Sequence, residues 1–520
     1  MLAIFLFTLC FCLFSVLVYD PNRYVVNQSK ELSQQERINL ATVTPRGQLN
    51  HEPIHTVEVN LNNGTYNQST NNQQFSLLAS KPAFEENGAK ISRNEYAKNS
   101  ATTLLASAQM LYSVALPSEG NSGIAVLDNI ATNLSTQETV QNGKVEEVTN
   151  TALEPLMYDK TIINTAVRES QVAIIKKIQE FVETKRHMLG AYQALYDLLV
   201  DYPFRHGKML RPTLCVSVAR AVGGMGHEAL ISAAALELYH NAFLIHDDIQ
   251  DGSEVRRGKD TLHQMIGIPR AINVGDATNV LAVGLLLENL SVLGVSKALN
   301  ILHEIEFMAQ QSVEGQAMEL DWVAKNASNL TDQDYFKMCV KKTCWYTFMT
   351  PCRIGLIIGH PSASTRELVE PLAGLTRFGM LLGIAFQIQD DLLNLQGEFE
   401  SYGKEIGGDI YEGKRTLMLN HVLAHSGKES EKILEILALH REEKTPKQLK
   451  FILNQMLRCG SIEHGRKVAR SLANQAAEIF ESLDFLQEET PLRSEERWEC
   501  SLHDSRFIKE LLNYVIYRNQ

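Results

Sequence analysis

Residues Ile231–Asp251, ISAAALELYHNAFLIHDDIQD, decide how this chain is read. From Ile231 to Asp248 the run is rich in Ala and Leu and contains neither Pro nor Gly, so it favours a helix that is largely buried. It closes on three acids, Asp247, Asp248 and Asp251, at i, i+1 and i+4. Positions i and i+4 share one helix face, which sets Asp247 and Asp251 side by side. Two carboxylates that close repel unless a cation or a proton lies between them. Hard oxygen donors with coordination positions to spare suit Mg²⁺. The plainer alternative is a pair of solvated acids at a helix end. Acids there oppose the helix dipole, so that alternative also calls for compensation. Gly252–Gly258, GSEVRRG, supplies it in Arg256 and Arg257, whose planar, multidentate donors match phosphate oxygens. Acids that hold a metal, followed by arginines that hold phosphate, describe a diphosphate site.

A second run repeats the pattern. Gly379–Asn394, GMLLGIAFQIQDDLLN, is again apolar and helical before Asp390 and Asp391. Its third position is Asn394, which can coordinate through its carbonyl oxygen but brings no charge. Two such motifs on two long helices argue strongly against chance surface acids. Basic residues gather in the same neighbourhoods: Lys208 and Arg211 in GKMLRP at a loop-to-helix junction, Lys341 and Lys342 before Thr343, then Lys404, and Lys414 and Arg415 with Asp409 between. Each alone reads as a solvated charge, and together they flank the acids.

Around these motifs the composition changes along the 520 residues. Residues 1–19 are apolar, 20–160 are rich in Asn, Gln, Ser and Thr without a helical period, and 161–520 carry long amphipathic patterns to the end. This organisation reads as a leader, a low-complexity disordered linker and one large domain. A succession of apolar-periodic helices without alternating strand patterns predicts an all-α bundle around a central cavity. The formal charge of −12 argues against a nucleic-acid partner. Scattered cysteines without zinc-type spacing fit reduced, buried thiols. The run Met1–Val18 is just long enough to span a bilayer. It reads as a membrane anchor, a cleaved secretory signal or a mis-assigned start. No basic residue precedes it, and Arg23 and Lys30 follow it, which favours a cytoplasmic placement of the remainder.

The stretches FLIHDDIQDGSEVRRG, GKMLRP and FQIQDDLLNL, with FIKELL near the C-terminus, resemble the trans-isoprenyl diphosphate synthase family over roughly residues 165 to 518. The resemblance implies an isoprenoid synthase-type helical bundle, a homodimer and about three Mg²⁺ ions. It implies a reaction in which isopentenyl diphosphate attacks the cation left when an allylic diphosphate ionises. By resemblance, Asp247, Asp248 and Asp251 bind metal from one side and Asp390 and Asp391 from the other. Arg256, Lys342, Lys404 and Lys414 hold the allylic diphosphate, and Lys208, Arg211, His240 and Arg257 hold isopentenyl diphosphate. Thr343 and Gln387 turn their oxygens toward the developing cation. A lone histidine on an apolar helix is more often a core residue, yet His240 lies two turns before Asp247 and matches the family pattern. His206 stands where the family has a glycine. The residues at the mouth of the product pocket are Ala242 and Phe243. One small residue beside one aromatic implies a floor deeper than a farnesyl enzyme's, with geranylgeranyl diphosphate the expected product. Trp345, Tyr346 and Phe348 form either a lower floor or ordinary core. A longer-chain synthase, a terpene cyclase and a non-catalytic partner subunit are the alternatives.

Overall fold

The computed structural model describes residues 160–205, 207–361, 365–396, 407–487 and 504–517. The leader, the linker, His206 and Lys404 lie outside the described residues.

Helix α1 (Lys160–Arg186) opens this region. Helix α2 (Leu210–Gly223) turns through Gly224 into α3 (Gly226–Gln250), which carries the first acid motif. Helices α4 (Ile268–Leu286) and α5 (Gly294–Ala324) follow. Next come α6 (Asp332–Cys339), a π-helix (Val340–Met349) and α7 (Thr350–Gly359), continuous with one another. The second acid motif ends α8 (Thr365–Gln396). Helices α9 (Gly408–Glu412), α10 (Leu417–His425), α11 (Ser461–Glu481) and α12 (Asp504–Tyr517) complete the bundle. Among the described residues, the strand pairing is one two-residue antiparallel ladder, Val255–Arg256 with Lys259–Asp260.

The sequence pattern explains the centre. Helix α3 is apolar on all sides, and Ala229, Ala233, Ala234, Ala235 and Ala242 are fully buried, letting α2 and α4 pack closely against it. Helix α8 is likewise enclosed, between α11 and the π-helix, with Leu372, Leu375, Leu382, Ile384 and Ile388 fully buried. Each such side chain contributes about 1.5–3 kcal/mol of burial. Fully buried Arg353 of α7 is paired in two hydrogen bonds of 2.7 Å with Glu304 of α5, and donates to Thr376 of α8 at 2.8 Å. One guanidinium thereby ties three helices, and its charge is matched where water cannot reach it.

The π-helix has a local cause. Pro351, two residues past its end, brings no N–H and crowds the carbonyl four residues earlier, so a wider turn relieves both problems. Two glycines accommodate the wider coil. A Cβ on Gly315 of α5 would strike the backbone of Lys341 and Lys342, and a Cβ on Gly383 of α8 would lie 2.6 Å from Cys344 Sγ.

Candidate active site

The first motif ends α3, and its three acids divide between two environments. Asp248 is fully buried. It accepts from the Arg256 Nε at 2.9 Å, from Arg256 Nη2, and from the Tyr202 hydroxyl at 2.7 Å. Tyr202 in turn accepts from the backbone N–H of Leu262 at 3.1 Å. Asp247 and Asp251 are only partly covered. Lys342 of the π-helix stands 3.8 Å from Asp247 and pairs more closely with Glu319 of α5. Lys414, beyond α9, lies 2.8 Å from Asp251, 2.7 Å from Glu412 and 4.0 Å from Asp409. Asp247 and Asp251 face Lys342 and Lys414, and Asp248 is bound by Arg256 and Tyr202.

The electrostatics follow from crowding. Burial, then the neighbouring Asp247, push the Asp251 carboxyl up to about 7, against the opposing pull of Lys414. Burial would lower Lys342 and Lys414, but the acids around them outweigh it and hold both ammonium groups above their usual range.

The second motif sits at the end of α8. Asp391 is buried, accepting from the Tyr335 hydroxyl and from the Gln387 amide, at 2.7 and 2.8 Å. The Gln387 oxygen accepts from the Thr343 hydroxyl at 2.8 Å. Gln387 is thus a link between Thr343 and Asp391, and its oxygen is already engaged by Thr343. Burial, then Asp409, raise the Asp391 carboxyl well above its usual range. Asn394 differs from the sequence expectation. Its side-chain oxygen accepts from the Asp409 N–H at 3.1 Å, and its backbone carbonyl accepts from the Gly407 N–H at 2.8 Å. It anchors the start of α9, and the acid that comes into range of Asp391 is Asp409. Lys414 reaches both Asp409 and Asp251, so the two acid motifs face one another across that lysine.

A second cationic group lies behind the first. Arg211 of α2 contacts His240 Nε2 at 3.3 Å and donates to Thr347 Oγ1 at 2.9 Å. Arg257, with a left-handed backbone (φ 52°), donates to the Tyr202 carbonyl at 3.1 Å. Burial, then the fields of Arg211, Arg257 and Arg256, press the His240 imidazole well below its usual range, so it is neutral. Lys208 is exposed, with its ammonium 5.9 Å from the Tyr514 ring of α12. Ala242 is fully buried, and Phe243 is half-buried against Tyr346 and Tyr239. Trp345 and Phe348 are core, packed on Phe307 and Phe386. Cys215, Cys339, Cys344 and Cys352 are free and buried.

Sequence reasoning assigned no role to Tyr202, Tyr335, Glu319 or Glu412, and left Tyr346 as either pocket floor or core. Only Tyr346 carried a signal, as part of the aromatic run after Lys342. The others are brought in by tertiary contact from segments without a motif.

The donors fit Mg²⁺. Among the described residues no three acidic, histidine or cysteine ligands converge into a closed metal site. Asp247 and Asp251, side by side at the end of α3, fit an ion that takes one or two carboxylates and completes its shell with water and phosphate. An all-α bundle in which two acid-tipped helices meet, ringed by lysine and arginine, is the architecture of isoprenoid synthases.

The comparisons agree. The sequence matches the polyprenyl synthetase family over residues 193–456. It is 28% identical to a geranylgeranyl pyrophosphate synthase of Geoglobus acetivorans over 363 residues, covering 69% of this chain and 100% of that one. It is 32% identical to the octaprenyl diphosphate synthase of Escherichia coli over 280 residues, covering 53% and 80%. Its structure resembles the polyprenyl synthase of Caulobacter crescentus solved with calcium and isoprenyl diphosphate, with a TM-score of 0.55 and 26% identity over 69% of this chain and 98% of that one. The chain belongs to the polyprenyl synthetase family, in general metal-dependent, and is a prenyltransferase of the isoprenyl diphosphate synthase class.

Proposed function

We propose that the chain condenses isopentenyl diphosphate head to tail with an allylic diphosphate, using Mg²⁺, to give geranylgeranyl diphosphate. The observation that carries this reading is the pair of cation groups beside the facing acid motifs: Arg256, Lys342 and Lys414 at the acids, and Arg211 and Arg257, accompanied by the neutral His240, behind them. A terpene cyclase needs only the first group.

In this reading Asp247 and Asp251 hold metal from one side. Asp390 and Asp391 hold it from the other, with Asp409 restoring the charge that Asn394 lacks. Bound Mg²⁺ supplies Lewis-acid stabilisation of the departing diphosphate. Lys342 and Lys414, held charged by Glu319 and Glu412, exchange their carboxylate partners for phosphate oxygens when substrate arrives. Asp248 keeps Arg256 aimed at the same place. The Thr343 hydroxyl oxygen, oriented by Gln387, faces the developing cation. Lys208, Arg211, His240 and Arg257 receive isopentenyl diphosphate. Lys404 joins the allylic group by resemblance alone.

Product length rests on Ala242 and Phe243, where one small residue leaves room that a second aromatic would fill. The octaprenyl relative favours a longer product as the second reading. The acceptor of homodimerisation is the exposed apolar face of α4 and α5, with Ile268, Ile272, Val280 and Val313 each at least 40% exposed. Attachment through residues 1–18 would keep this domain at a cytoplasmic membrane face, where a lipid product is released. Purified protein is incubated with Mg²⁺, isopentenyl diphosphate and each allylic primer, and products are separated by chromatography. A C20 product lost on chelation is expected. No turnover with any primer would falsify the reading, and products beyond C20 would replace its chain-length part.

A further inference from the structure

Three side chains from two helices converge on one ring, Tyr346 of the π-helix. The Arg211 guanidinium lies 4.3 Å from its centroid. The His240 imidazole stacks on it at 5.9 Å, with 27° between the planes. Phe243 meets it edge-on at 5.8 Å and 85°. Arg211 and His240 also touch one another, at 3.3 Å, and Arg211 is bound by Thr347, the next residue along the π-helix. Because arginine only donates, His240 Nε2 accepts and the ring proton resides on Nδ1. That Nδ1 and the Arg211 Nε are buried donors without an acceptor. Buried donors are costly to leave unpaired, so the pair suits an anion that reaches them.

Tyr346 is itself only partly covered. One of its contacts is with the pair that addresses isopentenyl diphosphate, and another is with the residue at the mouth of the product pocket. Arg211, His240 and Phe243 all contact this ring, so a shift of the ring disturbs both groups. The π-helix that carries Tyr346 is also wedged between Gly315 and Gly383, so the backbone offers no slack to absorb such a shift.

We propose that Tyr346 is a positioning residue that couples the grip on isopentenyl diphosphate to the length of the product. The inference rests on the synthase reading and deepens it: the group that presents each new five-carbon unit and the wall that the chain grows against share one support. A chain pressing on Phe243 loads the same ring that orients Arg211, so the last addition weakens the site for the next.

The experiment compares the unaltered full chain with Tyr346→Ala, Tyr346→Leu and Tyr346→Phe. Isopentenyl diphosphate binding is followed by calorimetry, KM by initial rates for each substrate, and product length by chromatography. Tyr346→Ala is expected to raise the Kd and KM for isopentenyl diphosphate about ten-fold through the lost cation–π support. KM for the allylic primer stays within about two-fold, a split that general misfolding would not produce. The product lengthens by at least one five-carbon unit. Tyr346→Leu, which keeps apolar bulk, gives the same double change should the alanine variant fail to fold. Tyr346→Phe, which keeps the ring, rescues both. A longer product with unchanged isopentenyl diphosphate affinity, or weaker affinity with an unchanged product, overturns the coupling. If the unaltered chain consumes no isopentenyl diphosphate, the synthase reading fails first. If it does and the variants change only one quantity, this inference alone fails.

Discussion

Asp247 and Asp248 are neighbours with opposite surroundings, and the difference sets what each substitution does. Asp248 and Arg256 are both buried and bound to one another. Asp248→Ala leaves the buried Arg256 guanidinium with only a 3.6 Å contact to Asp247 and is expected to cost about 3 kcal/mol, read by chemical denaturation. Asp247, partly open, loses little stability on the same change, under about 1 kcal/mol. In activity the order reverses: Asp247→Asn should lower kcat at saturating Mg²⁺ by about 10²–10³, equivalent to a few kcal/mol of lost charge stabilisation. Asp251 adds a pH dependence. Its carboxyl, raised to about 7 by burial and Asp247, is largely protonated below neutrality, and a metal can bind only after that proton leaves. Mg²⁺ affinity of the ligand-free protein should therefore fall about ten-fold from pH 8 to pH 6, the weakening expected of one group titrating near 7. Titration calorimetry in buffers of different ionisation enthalpy checks it, since one proton should be released per site filled near pH 6. Proton release independent of pH would contradict this. For stability the sign is opposite. A carboxyl raised on folding favours the folded chain at low pH, and that contribution is lost as pH rises through about 7.

At the scale of elements, the π-helix is the part that organises the site. It places Lys342 against Asp247 and Glu319, Thr343 against Gln387, and Tyr346 among Arg211, His240 and Phe243. Its seat depends on the absence of a side chain at Gly315, where α5 meets its backbone. Gly315→Ala should cost about 1–3 kcal/mol by overpacking and displace Lys342 and Thr343 together. Denaturation midpoints would report the first effect, and a raised KM for the allylic substrate the second. Helix α9 shows the converse case, an element held by the neutral third residue of an acid motif. Asn394 fixes Gly407 and Asp409 by two hydrogen bonds, because a neutral amide can accept from a buried N–H without bringing a second charge close to Asp391.

Across the described bundle, the exposed apolar residues of α4 and α5 are the surface a second copy would cover. Val280→Glu puts a charge into that face and is expected to yield a monomer in sedimentation velocity where the unaltered chain sediments as a dimer. Burying an unpaired carboxylate in an apolar contact is costly enough to split it. A monomer for both proteins would remove the dimer from the reading.

Much of this protein was legible in its sequence. The all-α class followed from long apolar-periodic runs without alternating strand patterns, because helix propensity and burial act along the chain. The acid motifs and the arginines after the first were equally plain, because i, i+4 spacing settles which side chains share a face. What no local pattern contains is which charge meets which. That Asp248 is bound by Arg256 and Tyr202, that Gln387 joins Thr343 to Asp391, and that Asp409 comes to the side of the second motif all depend on separate elements meeting in space, Tyr202 and Asp248 across 46 residues and Thr343 and Gln387 across 44. Tyr346 is the clearest case. Its aromatic neighbourhood reads equally as floor or core in the sequence, and only the packing of α2 and α3 against the π-helix puts Arg211, His240 and Phe243 on one ring. Short-range sterics and hydrogen bonding determine the helices and are written in adjacent residues, whereas the pairing of buried charges is decided by how those helices pack, which only the tertiary structure holds.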